Sequence, residues 1–187
     1  MNTPVLLQRL RSVHETLTAG GFDHAVGGAI ALAVHVQEPR FTADIDLNVM
    51  ADASRPEAML ASLPADVEVP SEAASVIRRD GQIRLFWHEP ETPLDLFLPQ
   101  HPTYHALVTS RAEPVAFLGA DIKVMQATDL MVFKALFDRS KDWVDIESLA
   151  ENRAGDIEEA VHWIGEIVGS DDDRIQRLIR VWKAYAA

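Results

Sequence analysis

With 187 residues, 48% of them apolar, the chain is long enough to bury one substantial core, and the absence of cysteine excludes disulfides, thiolate metal sites and thiol nucleophiles. A formal net charge of −12 disfavours non-specific binding to bulk nucleic acid, because a polyanion meets a repelling average field. No apolar run approaches the roughly 18 residues that cross a bilayer, and no charged-then-apolar leader is read at the N-terminus, so the expectation is a soluble, cytoplasmic protein with no membrane partner.

Residues 3–20 place Val5, Leu6, Leu10, Val13 and Leu17 at helical spacing and stop at Gly20–Gly21. FDHAVGG (22–28) predicts a short strand ending in a double glycine, and AIALAVHV (29–36) a compact apolar helix. TADIDLNV then alternates, with Ile45, Leu47 and Val49 on one face and Asp44, Asp46 and Asn48 on the other. Residues 54–63 predict a helix, and 76–88 a hairpin turning at Asp80–Gly81. TPLDLFL (92–98) alternates again, setting Leu94, Leu96 and Leu98 opposite Asp95 and Phe97. YHALVTSR predicts a helix, and 113–125 two short strands about Gly119–Ala120. Beyond this the period changes: 128–137, 142–152, 156–169 and 171–186 predict helices with Asp or Thr at or near their starts. The chain therefore reads as an α/β lobe over 1–125 and a helical C-terminal lobe over 126–187.

A D-x-D pattern means little alone, and the one at Asp171 and Asp173 is explained by helix capping and the helix dipole. Asp44 and Asp46 differ because they lie on a predicted strand after a strand-glycine-helix unit, with Asp95 available from another acidic strand. Three such carboxylates form an all-oxygen cluster, the ligand type preferred by Mg²⁺ (or Mn²⁺) holding substrate phosphates, which suits phosphoryl or nucleotidyl transfer. The Gly27–Gly28 turn and the helix after it supply backbone N–H groups to phosphate oxygens, and Arg40 and Thr42 add a charge and a hydroxyl. The alternative is a solvated acidic sheet face without a metal.

In DLMVFKALFDRSKDWVDIESL (129–149), Lys134 is the only charged residue between Leu130 and Phe137, so it either snorkels or reaches a buried anion. Lys134, Asp138, Asp142 and Asp145 share one helical face if no break occurs near Ser140; the ordinary alternative is a set of surface ion pairs. The histidines lack metal-ligand spacing apart from His101 and His105, which have no third ligand, and His14 is expected to be exposed on the first helix.

Taken together, VGGAIALAVHVQEPRFTADIDLNV, the later LDLFL and the Lys134 stretch resemble the nucleotidyltransferase superfamily, and within it the AbiEii/MenT-like proteins, many of them toxins of toxin–antitoxin pairs. The likeness spans roughly residues 22–150. It implies a bilobed α/β enzyme whose N-terminal mixed β-sheet carries the metal site and whose helical lobe closes over the nucleotide. Gly27 and Gly28 fall on the glycine motif, Asp44 and Asp46 on the metal-binding D-x-D, and Asp95 on the third carboxylate. Lys134 falls on the lysine associated with the incoming nucleotide, and Asp142 and Asp145 on the acidic part of the same motif. Polymerase-like members usually carry Gly-Ser where this chain has Gly27–Gly28.

The leading expectation is thus an Mg²⁺-dependent, two-metal enzyme that moves NMP from an NTP to an acceptor hydroxyl, with the tRNA 3′ end as the expected acceptor, as a toxin with a cognate antitoxin protein. Arg78, Arg79 and Arg84, or Arg174, Arg177 and Arg180, are the candidate basic patches for such an RNA. A second reading keeps the chemistry and changes the acceptor to an antibiotic of aminoglycoside or lincosamide type. A third is a non-catalytic module of the same fold that binds a partner protein as an antitoxin.

Overall fold

The computed structural model describes residues 3–185. In chain order the elements are α1 (Thr3–Ala19), β1 (His24–Val26), α2 (Gly28–His35), β2 (Ile45–Val49), α3 (Glu57–Ala61), β3 (Val67–Glu68), α4 (Ala73–Asp80), β4 (Gln82–Trp87), β5 (Thr92–Phe97), α5 (Pro102–Arg111), β6 (Glu113–Phe117), β7 (Ala120–Val124), α6 (Ala127–Phe137), α7 (Ser140–Glu151), α8 (Ile157–Val168) and α9 (Asp173–Tyr185). Residue 186, the end expected for the last helix, lies outside the described residues. None of the described helices is long and apolar enough to cross a membrane.

The chain divides into two compact units, one of residues 1–30 and 41–124, the other of residues 31–40 and 125–187. The first unit contains a seven-stranded mixed sheet in the order β3-β4-β5-β2-β1-β7-β6. Strand β2 runs parallel to β5 and antiparallel to β1, and β1 runs parallel to β7. The alternation read in the sequence is what buries one face of the central strands: Ile45, Leu47, Val49, Ile83, Leu85, Trp87, Leu94 and Leu96 are all buried. Each such side chain removed from water contributes about 1.5–3 kcal/mol. Within α1 the stripe Leu6, Leu10, Val13 and Leu17 is buried in the same way.

One segment departs from the expected elements. Residues 73–80 form helix α4, where a hairpin strand is predicted from residue 76, because Ala73 and Ile77, four positions apart, are both buried on one side. Gly81 ends that helix in the left-handed conformation (φ +64°), with its N–H bonded to the Ile77 carbonyl at 2.7 Å. The Asp-Gly pair is therefore a helix stop. The hairpin turn lies further on, at residues 88–91, where β4 hands over to β5 with Trp87 opposite Thr92.

In the second unit α6 packs on α7 and α8, and α9 packs on α7 and α8. Asp156 caps α8 by accepting the N–H groups of Glu158 and Glu159, as an aspartate at a helix start does.

Candidate functional site

Because Ile45 and Leu47 are drawn into the core, Asp46 must project from the opposite face of β2, and the same argument places Asp95 on β5 and Arg84 on β4. Strand order then brings them together. Asp46 is in register with Asp95 across the parallel β2–β5 pair, and Asp95 is in register with Arg84 across the antiparallel β5–β4 pair. On the other side of β2, the Gly27 N–H donates to the Asp46 carbonyl at 2.9 Å, so the row Arg84–Asp95–Asp46 crosses β4, β5 and β2 and ends at Gly27 in the turn after β1.

Arg84 engages Asp95 through a two-toothed fork, Nε to Oδ1 at 2.8 Å and Nη2 to Oδ2 at 2.6 Å. The same Nη2 lies 3.5 Å from Oδ2 of Asp44. Side-chain exposure falls from 49% at Arg84 to 31% at Asp44 and 13% at Asp95, so the fork lies in a partly screened, partly desolvated setting. The Asp95 hydrogen bonds push the Arg84 pKa up, against the effect of desolvation, and the charges of Asp95, Asp44 and Asp46 add to the rise. Arg84 is the site residue that sequence reasoning assigned elsewhere, to an RNA-binding patch. The available signal was its position between Ile83 and Leu85, which puts it on the polar face that also carries Asp95.

Gly28 opens α2 in the left-handed region (φ +56°), and a Cβ built there would stand 1.9 Å from Oδ2 of Asp46. The carboxylate therefore packs against bare backbone. Thr42 plays a local part: its hydroxyl accepts the Asp44 N–H at 3.1 Å and so shapes the entry to β2.

In the second unit the charged residues of the lysine motif are buried together. The chain breaks at Asp138, which takes the left-handed conformation (φ +54°) at the end of α6, so Lys134 and the two later aspartates sit on different helices. Packing of α6 on α7 reunites them. Lys134 Nζ donates to Oδ2 of Asp145 at 2.5 Å and stands 3.8 Å from Oδ1 of Asp142, with all three side chains 5% exposed or less. Arg40 forks onto the same Asp145 from Nε (2.8 Å) and Nη2 (3.1 Å). Burial by itself raises the Asp145 pKa, but the Arg40 hydrogen bond and the Lys134 charge outweigh it and leave the carboxyl below its ordinary range. Asp142 reaches back to the Arg139 N–H at 3.2 Å at the start of α7 and accepts the Arg139 side chain as well.

Five of the six arginines singled out for an RNA patch are engaged by carboxylates: Arg78 by Glu57, Arg79 by Asp80, Arg84 by Asp95, Arg174 by Asp172 and Arg177 by Asp138. His101 caps α5 by accepting the Tyr104 N–H, and His105 is buried beside it, so their spacing is structural. His14 is half-buried, where exposure is expected from the sequence. Its Nδ1 lies 2.9 Å from Nε2 of buried His24, whose own Nδ1 faces the Phe22 carbonyl at 2.8 Å.

No protein-family model matches the sequence, and no curated protein sequence matches it. Solved structures do. The chain is similar to an antigenic nucleotidyltransferase-like protein from Paracoccidioides brasiliensis, with a TM-score of 0.58 over 96% of this chain and 88% of that one at 17% identity. The chain has a nucleotidyltransferase-like fold. Weaker likenesses are to JHP933 from Helicobacter pylori (TM-score 0.45, 13% identity, 96% and 88% covered) and to the antibiotic-resistance factor ANT(2'')-Ia (TM-score 0.48, 11% identity, 98% and 94% covered).

Within this fold the donor set of Asp44 and Asp46 fits a hard divalent cation, since carboxylate oxygens are its ligands and the Gly28 backbone leaves room for Asp46. Asp95 is different, because both its oxygens are already held by Arg84. Among the described residues no three His, Asp or Glu side chains are grouped to hold a metal ion. A pair of carboxylates completed by substrate phosphates and water is the usual protein share of an Mg²⁺ site.

Proposed function

We propose that the protein is an Mg²⁺-dependent nucleotidyltransferase that moves NMP from an NTP to an acceptor hydroxyl. The observation that carries this reading is the cross-strand row of Asp46, Asp95 and Arg84 beside the Gly27–Gly28 turn, a combination of carboxylates and bare backbone that a solvated sheet face has no need to build. The metal, held by Asp44 and Asp46, would neutralise charge on the triphosphate and the leaving pyrophosphate. The acceptor oxygen attacks the α-phosphorus, the bond to the bridging oxygen breaks, and pyrophosphate carries the electron pair away. Asp95 takes the hydroxyl proton on a lone pair the Arg84 fork leaves open, its plane fixed by that fork. A loose phosphoryl transition state asks little basicity of such a residue, so positioning dominates. The Gly27–Gly28 turn admits phosphate oxygens close to the backbone, and Asp46 is aimed by its contact with Gly28. Arg40 and Lys134 share Asp145 and, with Asp142, shape the helical unit.

The resemblance of the glycine, D-x-D and lysine motifs supports an AbiEii/MenT-type toxin acting on the tRNA 3′ end, with an antitoxin as partner. The pairing of Arg78, Arg79, Arg174 and Arg177 with acidic neighbours, together with the net charge of −12, favours a second reading in which the acceptor is a polycationic small molecule such as an aminoglycoside. One assay tests both: purified protein, Mg²⁺ and each of four α-labelled NTPs, with total tRNA or an aminoglycoside panel as acceptor. Label transferred to either acceptor and lost in Asp46→Ala supports the proposal and names the class. No transfer to any acceptor, or equal transfer by Asp46→Ala, would overturn it.

A further inference from the structure

We infer that Arg84 is a fixed second cation of this site, so that the protein holds one divalent ion, on Asp44 and Asp46, where a two-metal enzyme holds two. The inference rests on the nucleotidyl-transfer reading and concerns how its charge is balanced. A second metal would need Asp95 as a ligand alongside the D-x-D pair. Here both Asp95 oxygens accept hydrogen bonds from one guanidinium, at 2.8 and 2.6 Å, and the same group stands 3.5 Å from Asp44. Arg84, on the strand beyond Asp95 from Asp46, thus holds both oxygens of the carboxylate that a second ion would need and reaches toward Asp44 as well.

This placement is built into the sheet. Arg84 is paired directly with Asp95 in a six-residue antiparallel ladder, from Gln82 opposite Phe97 to Trp87 opposite Thr92, and its neighbours Ile83 and Leu85 are buried. The side chain cannot leave the polar face without a register slip that would turn both apolar neighbours to solvent. A guanidinium is suited to the role because its planar fork matches a carboxylate and stays charged at any physiological pH. The positive charge of a metal is therefore supplied permanently and without a dissociation step. Arg84 acts here as a positioning residue: it sets the plane of Asp95 and removes that carboxylate from the metal's ligand set.

The test is the electron paramagnetic resonance spectrum of protein-bound Mn²⁺ in the presence of a non-hydrolysable NTP analogue. Two Mn²⁺ ions about 3.5–4 Å apart are magnetically coupled, and a single ion is not. The expected result is an uncoupled six-line spectrum for the wild type, one Mn²⁺ per site, and the same spectrum for Asp95→Asn, because Asp95 is not a ligand. Arg84→Gln should free Asp95 and give the coupled spectrum with two ions. A coupled spectrum in the wild type, loss of the bound ion in Asp95→Asn, or an uncoupled spectrum in a folded Arg84→Gln protein would each overturn the inference alone. Absence of bound Mn²⁺ from the wild type would overturn the nucleotidyl-transfer reading and this inference with it. Thermal melts of each variant establish that it is folded, and Asp95→Asn keeps the test decisive if Arg84→Gln is not.

Discussion

Asp46 and Asp95 stand side by side, in register on adjacent parallel strands, with Arg84 on the far side of Asp95 as its forked partner. The two carboxylates are chemically alike, but their substitution should have opposite consequences for stability. Asp46→Asn removes a like charge from a cross-strand pair and should leave the fold unchanged or stabilise it by about 0.2–1 kcal/mol. Asp95→Asn strands a partly exposed arginine and should cost up to about 1 kcal/mol. Under the proposed function Asp46→Asn also removes several kcal/mol of transition-state stabilisation, a loss of roughly a hundred- to ten-thousandfold in transfer rate. Denaturant midpoints and label transfer on the same two proteins check both halves.

Gly28 is constrained twice, by its backbone and by the carboxylate against it. Gly28→Ala should cost about 1–2 kcal/mol for the left-handed conformation and also displace Asp46, lowering transfer by at least tenfold. Gly21 is the control, since it too has positive φ (+78°) but nothing within 4 Å of a built Cβ. Gly21→Ala should pay a similar backbone cost and leave transfer unaltered. Equal activity of the two variants would show that the Gly28–Asp46 contact has no functional role.

The buried trio of Lys134, Asp142 and Asp145 in the helical unit makes a sharper stability prediction. Asp145→Ala leaves Lys134 buried without its closest partner and should destabilise the protein by about 3–5 kcal/mol. Replacing both, as Lys134→Met with Asp145→Leu, removes the charges together and should recover most of that loss, because Arg40 at 38% exposure can turn to water. The pH dependence follows from sign. The folded-state pKa of Asp145 is depressed, so its contribution is complete above the unfolded value and is lost as pH falls through the folded one. Urea melts should therefore show a stability loss in the acid range below about 4 that the double variant lacks.

A second acid-sensitive element lies in the sheet unit. Burial pushes the His24 pKa down, and desolvation also lowers that of His14. With His24 Nδ1–H donating to the Phe22 carbonyl, its Nε2 accepts from His14 Nδ1–H, and protonating His24 would set N–H against N–H. Below about pH 6.5 the unfolded chain takes up these protons before the folded one, so stability falls as pH drops. Denaturant midpoints should decline between pH 7.5 and 5.5, and His24→Gln should flatten that slope.

Much of the chain could be read without coordinates because its signals are local. Period-two alternation in TADIDLNV and TPLDLFL put Asp44, Asp46 and Asp95 on polar strand faces, and aspartates at helix starts marked Asp156 and the helices around it. The misread segment shows the limit of the same method. Asp80–Gly81 suits a hairpin turn and a helix stop equally well, and only the burial of Ala73 and Ile77 on one side chooses the helix.

Which carboxylates meet was decided in the tertiary structure alone. Alternation states which face a side chain takes and is silent on which strand lies beside it, and β5 reaches β2 across 42 residues of intervening chain (50–91) through a parallel pairing. The antiparallel β4–β5 ladder set Arg84 against Asp95, changing an arginine assigned to RNA into the charge partner of the acidic row. Likewise, Lys134 and Asp145 came together through the packing of α6 on α7 after the helix broke at Asp138, and Arg40 joined them from more than a hundred positions away. Sequence determined the faces and the chemical types, since these follow from neighbours along the chain. The partners of Asp46, Lys134 and Asp145 depended on pairing and packing between distant segments, where burial of the apolar faces chose the arrangement and the charges followed.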